Sequence, residues 1–282
     1  MPDQFRRYTA DRFRNEVHAE SSTYRHPESF FPFTYLLLFF ILTLPSFSQR
    51  TAGDEANIQP HFVIDTPIAG LLPDRVGEAG LYFYPEGGTL LNLSFGLGEK
   101  FNFGLSFGGT NLVGSGKVDW NKLPAIMVRY RLFEEQSITP ALLVGFDSQG
   151  KDGYQEEWRQ YTIKSPGFFL SVSKNYKLYG ILSFHSALTY SLERRDGDKA
   201  PNVFIGMEKS IGSSVSFLSE YNFCFDSDND EKGFWNGMLN VGLRISTAFG
   251  INIDVYFKNL LTNKFYYPHL YRALRIQYVR QF

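Results

Sequence analysis

From about Gly80 to Phe282 the chain alternates apolar residues with small or polar ones, in segments of roughly ten residues. Leu91, Leu93, Phe95 and Leu97 alternate with Asn92, Ser94, Gly96 and Gly98, and Phe101, Phe103, Leu105 and Phe107 alternate with Asn102, Gly104, Ser106 and Gly108. Successive side chains of a strand point to opposite faces, so each segment has one greasy face and one nearly bare one. A closed barrel can set such a sheet between lipid and water without leaving an unpaired edge in hydrocarbon. Strand candidates lie near Ala79 to Tyr84, Thr89 to Leu97, Lys100 to Gly108, Leu123 to Leu132, Ile138 to Phe146 and Tyr161 to Ser173. The remainder lie near Lys177 to Leu192, Asn202 to Lys209, Ser214 to Phe225, Trp235 to Thr247, Gly250 to Phe257 and Tyr271 to Phe282. The expected fold class is all-β: a transmembrane antiparallel up-and-down β-barrel of about twelve strands, within bounds of about ten to fourteen.

The connections carry a second signal. After a first hairpin at Glu86 to Gly88, short links (Gly98-Glu99, Phe133 to Gln136, Lys174 to Tyr176, Ile211 to Ser213, Ala248-Phe249) alternate with longer polar ones (Thr110 to Lys122, Asp147 to Gln160, Glu193 to Pro201, Asp226 to Phe234, Lys258 to Leu270). Outer-membrane barrels keep short turns in the periplasm and long loops outside, which predicts an even strand count with both ends periplasmic. The last strand sets Leu274, Ile276, Tyr278, Arg280 and Phe282 on one face and Ala273, Arg275, Gln277, Val279 and Gln281 on the other. Leu274, Ile276, Tyr278 and Phe282 resemble the C-terminal signal that the barrel-assembly machinery reads, and Arg280 can snorkel at the interface. A soluble β-sandwich also alternates and is the competing fold.

Composition narrows the function classes. A net charge of −1 offers no basic excess for nucleic acid. Aromatics reach 17%, with 28 Phe and 17 Tyr, yet the mean hydropathy is only −0.22, so hydrophobicity is dispersed as a barrel wall disperses it. The single Cys224 forbids an internal disulfide. At the N-terminus, Arg6, Arg7, Arg12, Arg14 and Arg25 precede an apolar run from Tyr35 to Leu44, and Ser46 and Ser48 then stand at −3 and −1 of a cleavage site before Gln49. The run is too short for a spanning helix, which needs about 20 apolar residues. Residues 1–48 are therefore expected to be an N-terminal extension with a signal peptide, 49–77 a periplasmic lead-in, and 78–282 the barrel. The lead-in holds Pro60, Pro67 and Pro73, and its run Asp65 to Gly70 fits either a turn or a plug at the barrel mouth.

Several segments resemble the YjbH-type outer-membrane proteins of exopolysaccharide loci: Pro140 to Asp147, then Val172-Ser173-Lys174, Ser219-Glu220-Tyr221, and Asn240 to Arg244 leading to Lys258-Asn259-Leu260. The resemblance runs from Asp65 onward and implies a single-barrel version with a part in polysaccharide export or secretion rather than a reaction.

With the apolar faces toward lipid, Arg129, Arg131, Glu208, Glu220, Arg244, Asp254 and Arg275 turn into the lumen. Orientation follows from energy, because an Arg or Lys facing lipid at the midplane costs roughly 2–4 kcal/mol. Two roles stay open for them: a structural salt-bridge network, or a selectivity lining for an anionic or sugar-like solute. Trp120, Trp158 and Trp235, near loop ends, fit an aromatic girdle or a sugar-stacking site. The carboxylates Asp226, Asp228, Asp230 and Glu231 lack the Gly and Glu spacing of an EF-hand and read as solvated loop charge, with weak divalent binding as the alternative. His185 shares its face with Ser183, Ala187 and Thr189, while Ser186 points the other way and no G-x-S-x-G motif occurs. No catalytic residue, metal site or cofactor is expected.

The functional expectation is a non-catalytic barrel in the outer membrane of a Gram-negative-type bacterium, passing or exporting a polar solute or polysaccharide. Its partners are outer-membrane lipid and lipopolysaccharide, the barrel-assembly machinery, and polysaccharide or its export proteins. The alternatives are a structural or adhesion barrel that binds a partner through its loops, and, less favoured, a lipid-modifying enzyme.

Overall fold

The computed structural model describes residues 60–156, 159–227, 237–262 and 269–282, and no helix occurs among them. The strands are β1 (Val76–Tyr84), β2 (Gly88–Leu97), β3 (Phe101–Thr110), β4 (Asp119–Trp120), β5 (Ala125–Phe133), β6 (Ala141–Asp147), β7 (Lys151–Gln155), β8 (Gln160–Ile163), β9 (Gly167–Lys177), β10 (Ile181–Tyr190), β11 (Asn202–Ile211), β12 (Val215–Asn222), β13 (Met238–Ser246), β14 (Ile251–Lys258) and β15 (Tyr271–Gln281). Twelve of them close an antiparallel barrel in which each wall strand pairs with its neighbour in sequence. Closure comes from β1 against β15, running from Val76 opposite Gln281 to Phe83 opposite Leu274. The remaining three strands stand off the wall: β4 adds two residues beside β3, while β7 and β8 form a separate hairpin.

Prolines account for most departures from the expected boundaries. The segment expected from Tyr161 to Ser173 is two elements, since Pro166 ends β8 and β9 starts at Gly167. Pro140 likewise delays β6 to Ala141, and Pro124 delays β5 to Ala125. Along the wall, the short connections 98–100, 134–140, 178–180, 212–214 and 247–250 gather at one end. The other end carries 85–87 and the longer 111–124, 148–166, 191–201, 223–237 and 259–270.

The period-two pattern sorts the wall into two surfaces. Leu91, Leu93, Phe95, Leu105, Ile126, Leu188, Ile205, Leu243 and Ile276 all lie exposed on the outside. Ser94, Asn102, Ser106, Ser171, Ser183, Glu208, Glu220, Arg244 and Asp254 are all buried on the inside. This inverts a soluble barrel and suits a wall set in lipid. Leu93, central in β2 between Ala79 and Leu105, gives a direct check. Leu93→Arg is expected to destabilise the barrel in lipid vesicles by about 2–4 kcal/mol, measured by denaturant titration, whereas Glu99→Arg at the rim is expected to be close to neutral.

Candidate functional site: the occupied lumen

The lumen holds the chain's own lead-in. Residues 61–69 fold into a short hairpin: Phe62 bridges Pro67, the Ile68 N–H donates to the His61 carbonyl, and the Val63 N–H donates to the Thr66 carbonyl. The arms rise from the short-turn end of the barrel and the turn Val63 to Thr66 is the tip. At the rim the chain crosses β2 where Gly96 stands, and a Cβ there would come within 1.9 Å of the Pro73 carbonyl oxygen. Gly98 N–H donates to Asp74 at 2.7 Å, fixing the crossing. Of the two readings of Asp65 to Gly70 from sequence, the structure combines both, a turn that plugs.

Wall side chains grip this hairpin by its backbone. Glu220 on β12 places Oε2 within 2.8–3.1 Å of three consecutive N–H groups, those of Ile64, Asp65 and Thr66, and also accepts from the Thr66 hydroxyl. Its Oε1 accepts from Asn240 on β13. A carboxylate facing three converging N–H groups is a strong, charge-assisted arrangement. On the opposite wall, Arg129 of β5 spans both arms, donating to the His61 carbonyl at 2.9 Å and the Ile68 carbonyl at 2.6 Å. Arg244 of β13 donates to the carbonyls of Phe62 and Val63, and Arg275 of β15 to that of Ile64. Half-buried Arg131 holds the Ala69 carbonyl. Asn102 pairs with the backbone of Leu72 in both directions.

The apolar side chains of the hairpin complete the fit. Val63, Ile64 and Ile68 pack with inward-facing Tyr82, Tyr84, Leu90, Leu218 and Tyr256, and Ala69 and Leu71 pack with Ala141, Leu143 and Phe169. Each fully buried Val, Ile or Leu contributes about 1.5–3 kcal/mol before the cost of ordering the segment. Gly206 on β11 makes room for Val63, whose Cγ2 would lie 2.8 Å from a Cβ placed there.

From the long-loop end, the connection 148–166 folds inward and meets the tip. Lys151 and Lys258 flank the Asp65 carboxylate at 3.1 and 2.8 Å. Lys258 also pairs with Asp152 at 2.5 Å, and Asp152 accepts from the hydroxyls of Tyr82 and Tyr271, each at 2.7 Å. Below the tip, Glu208, Arg244 and Asp254 form a buried triad with contacts of 2.9–3.0 Å. The cavity left beside the hairpin, lined in part by His61, Phe62, Asn92, Ser106 and Gln149, measures about 40 Å³. It holds two or three waters and no sugar ring.

All seven charged residues expected to face the lumen therefore do so, and they combine the two roles left open. Glu208, Arg244 and Asp254 pair with one another, whereas Arg129, Arg131, Glu220 and Arg275 are spent on the lead-in. His185 is buried facing in, and its Nδ1 lies 2.8 Å from Ser173 Oγ, which accepts the Ala69 N–H. That contact fixes the hairpin rather than a nucleophile. Trp120 lies outside the wall, stacked on Phe107 with centroids 5.6 Å apart. Trp158, Trp235, Asp228, Asp230, Glu231 and the expected signal peptide lie outside the described residues. Leu274, Ile276 and Tyr278 face outward on β15, and exposed Phe282 donates its N–H to the Arg75 carbonyl at the short-turn rim.

Sequence reasoning missed Lys151, Asp152, Lys258, Tyr82, Asn102 and Ser173. Lys258 and Tyr82 were legible as members of inward-facing alternations, but Lys151 and Asp152 sit on a connection whose inward fold has no periodic signature.

Two groups of the hairpin respond to acid. Burial, with Arg129 nearby, pushes the His61 imidazole down to about 3. Burial pushes the Asp65 carboxyl up, but the charges of Lys258 and Lys151 outweigh it and hold it below the usual range. A released segment binds a proton on His61 near its ordinary pKa of about 6.5 while the docked one does not. Docking is therefore strongest above about pH 6.5 and weakens as pH falls toward 3, by up to about tenfold per unit. Asp65 acts in the same direction only below about pH 4. Amide exchange across 61–69, corrected for its intrinsic pH dependence, is expected to be faster at pH 5 than at pH 7.5, and His61→Asn is expected to remove the difference.

No protein-family description matches the chain, and no curated protein matches it. Among solved structures it is similar to the NanC porin in a rhombohedral crystal form, at 11% identity and a TM-score of 0.39, over 73% of this chain and 99% of that one. At that TM-score the likeness carries no argument about function.

Proposed function

We propose that the chain is an outer-membrane β-barrel whose lumen is a passage for a polar solute, held closed by residues 60–72. The observation that carries this reading is the wall's inward face. Take away the lead-in and what lines the lumen is mostly Ser, Asn, Gly and charged side chains, the lining of a water-filled channel. Barrels of eight strands are filled by their own side chains and those of sixteen to eighteen leave an open aqueous channel. Twelve strands around a removable hairpin fall between, wide enough for a small solute or a single extended polysaccharide strand. Polysaccharide export, which the YjbH-type resemblance implies, uses the same lumen in this reading.

The test is conductance in planar bilayers. Full-length protein is expected to be silent or to open rarely, and protein lacking residues 60–72 is expected to conduct steadily. A deletion variant that folds yet stays silent contradicts the reading. In that event the second reading gains, an adhesion or scaffolding barrel whose partner meets the connections 111–124, 148–166 and 191–201 gathered at one end.

A further inference from the structure

The Asp65 carboxylate occupies a site that belongs to the wall. Lys258 lies on β14, Lys151 on the infolded connection, and both ammonium groups are nearly or fully buried against the carboxylate, with side-chain exposures of 0% and 10%. Lys258 keeps Asp152 and Tyr82 when Asp65 is taken away. Every partner of Lys151, by contrast, comes from the lead-in: Asp65, the Ile64 carbonyl at 2.8 Å and the Phe62 ring at 4.2 Å. Arg129 and Arg275 likewise donate hydrogen bonds only to lead-in carbonyls among the described residues.

Withdrawal of the hairpin therefore strips three cations of every hydrogen bond they make to the protein. Only Glu220 loses comparably among the carboxylates, and it retains Asn240. The vacated lumen then presents unpaired positive charge in a polar, restricted space where water screens poorly, and a small anion is the ligand that restores the lost contacts. Planarity and two acceptor oxygens suit a carboxylate to two lysines set on either side of it.

We infer that Lys151 and Lys258 form a carboxylate-binding subsite, filled by Asp65 while the lumen is closed and taken by the carboxylate of an acidic solute, a uronate or other sugar acid, when the hairpin leaves. The inference rests on the reading of the lumen as a passage, and it identifies the class of solute. The solute's carboxylate competes with Asp65 for the same two ammonium groups, so an acidic solute favours the open state and a neutral sugar does not.

Chemical rescue tests the subsite without any need for conduction. Full-length Asp65→Ala is expected to lose protection of the 61–69 amides, and sodium acetate at tens of millimolar is expected to slow their exchange at least tenfold while equal sodium chloride does not. The acetate effect should vanish in Asp65→Ala combined with Lys258→Met or with Lys151→Met, and should be absent from wild type and from Asp65→Asn, whose side chain keeps the site filled. Rescue by acetate and chloride alike, or none by either, overturns the subsite. A second arm reads the solute: in a conducting Glu220→Ala channel, glucuronate is expected to block current at concentrations at least tenfold below glucose, and equal block by both overturns the solute class. Rescue by acetate in a barrel that never conducts leaves the subsite standing and removes the passage.

Discussion

Glu220→Ala is expected to open the barrel. The carboxylate satisfies three buried backbone N–H groups and the Thr66 hydroxyl, and no other wall oxygen is within reach of the tip in the contacts that hold it. Each buried donor left without a partner costs about 1–3 kcal/mol, so the docked hairpin loses several kcal/mol at one stroke. The barrel wall loses much less, because Glu220's only wall contact is the single bond from Asn240. Conductance in planar bilayers is expected to rise from rare openings to a mostly open channel, and limited proteolysis is expected to cut within 60–72 while the folded barrel persists on an unheated detergent gel. Glu220→Gln keeps one acceptor oxygen in place of two and is expected to fall between. Silent bilayers from a well-folded Glu220→Ala protein would falsify the assignment of Glu220 as the latch.

Arg244→Met is expected to act on the wall instead. Arg244 joins Glu208 and Asp254 across β11, β13 and β14, and the three side chains are 2% exposed or less. Removing the cation leaves two carboxylates in the lumen with no neutralising partner, a change that costs about 3–5 kcal/mol at buried ion pairs. For a chain of this size that corresponds to a fall on the order of 10 °C in the temperature at which the folded band is lost on a detergent gel. The triple variant Arg244→Met, Glu208→Gln, Asp254→Asn removes the stranded charges and is expected to recover most of the loss. A single variant as stable as wild type would mean that water, not Arg244, neutralises the two carboxylates.

The wall was legible in the sequence because its signal is local and repeated. Leu91, Leu93 and Phe95 against Asn92, Ser94 and Gly96 specify both the strand and the face that turns outward, and one-residue slips are forbidden by lipid on one side. Orientation was legible from the connections, whose lengths differ by end. The contents of the lumen were not legible in the same way. Residues 60–72 are irregular and Pro-containing, and their hydrogen bonds go to side chains 30 or more residues away in sequence, from Asn102 at a separation of 30 to Arg275 at 211. Glu220 and Arg129 were readable as inward charges, but that their partners are backbone groups of the lead-in, rather than each other, is fixed only by the closed fold. Lys151 and Asp152 were read as part of a polar loop, since nothing in 148–166 distinguishes a connection that folds inward from one that extends into solvent.

A disulfide between the tip and the wall tests the central claim, that residues 60–72 leave the lumen to open it. A Cβ at position 206 lies 3.5 Å from the Val63 Cβ, within the span that a disulfide bridges. In a Glu220→Ala, Cys224→Ala background, Val63→Cys with Gly206→Cys should be closed in bilayers when oxidised and should conduct after reduction, with current abolished again by an oxidant. Equal conductance in the oxidised and reduced states, with the cross-link verified by mass, would contradict the account.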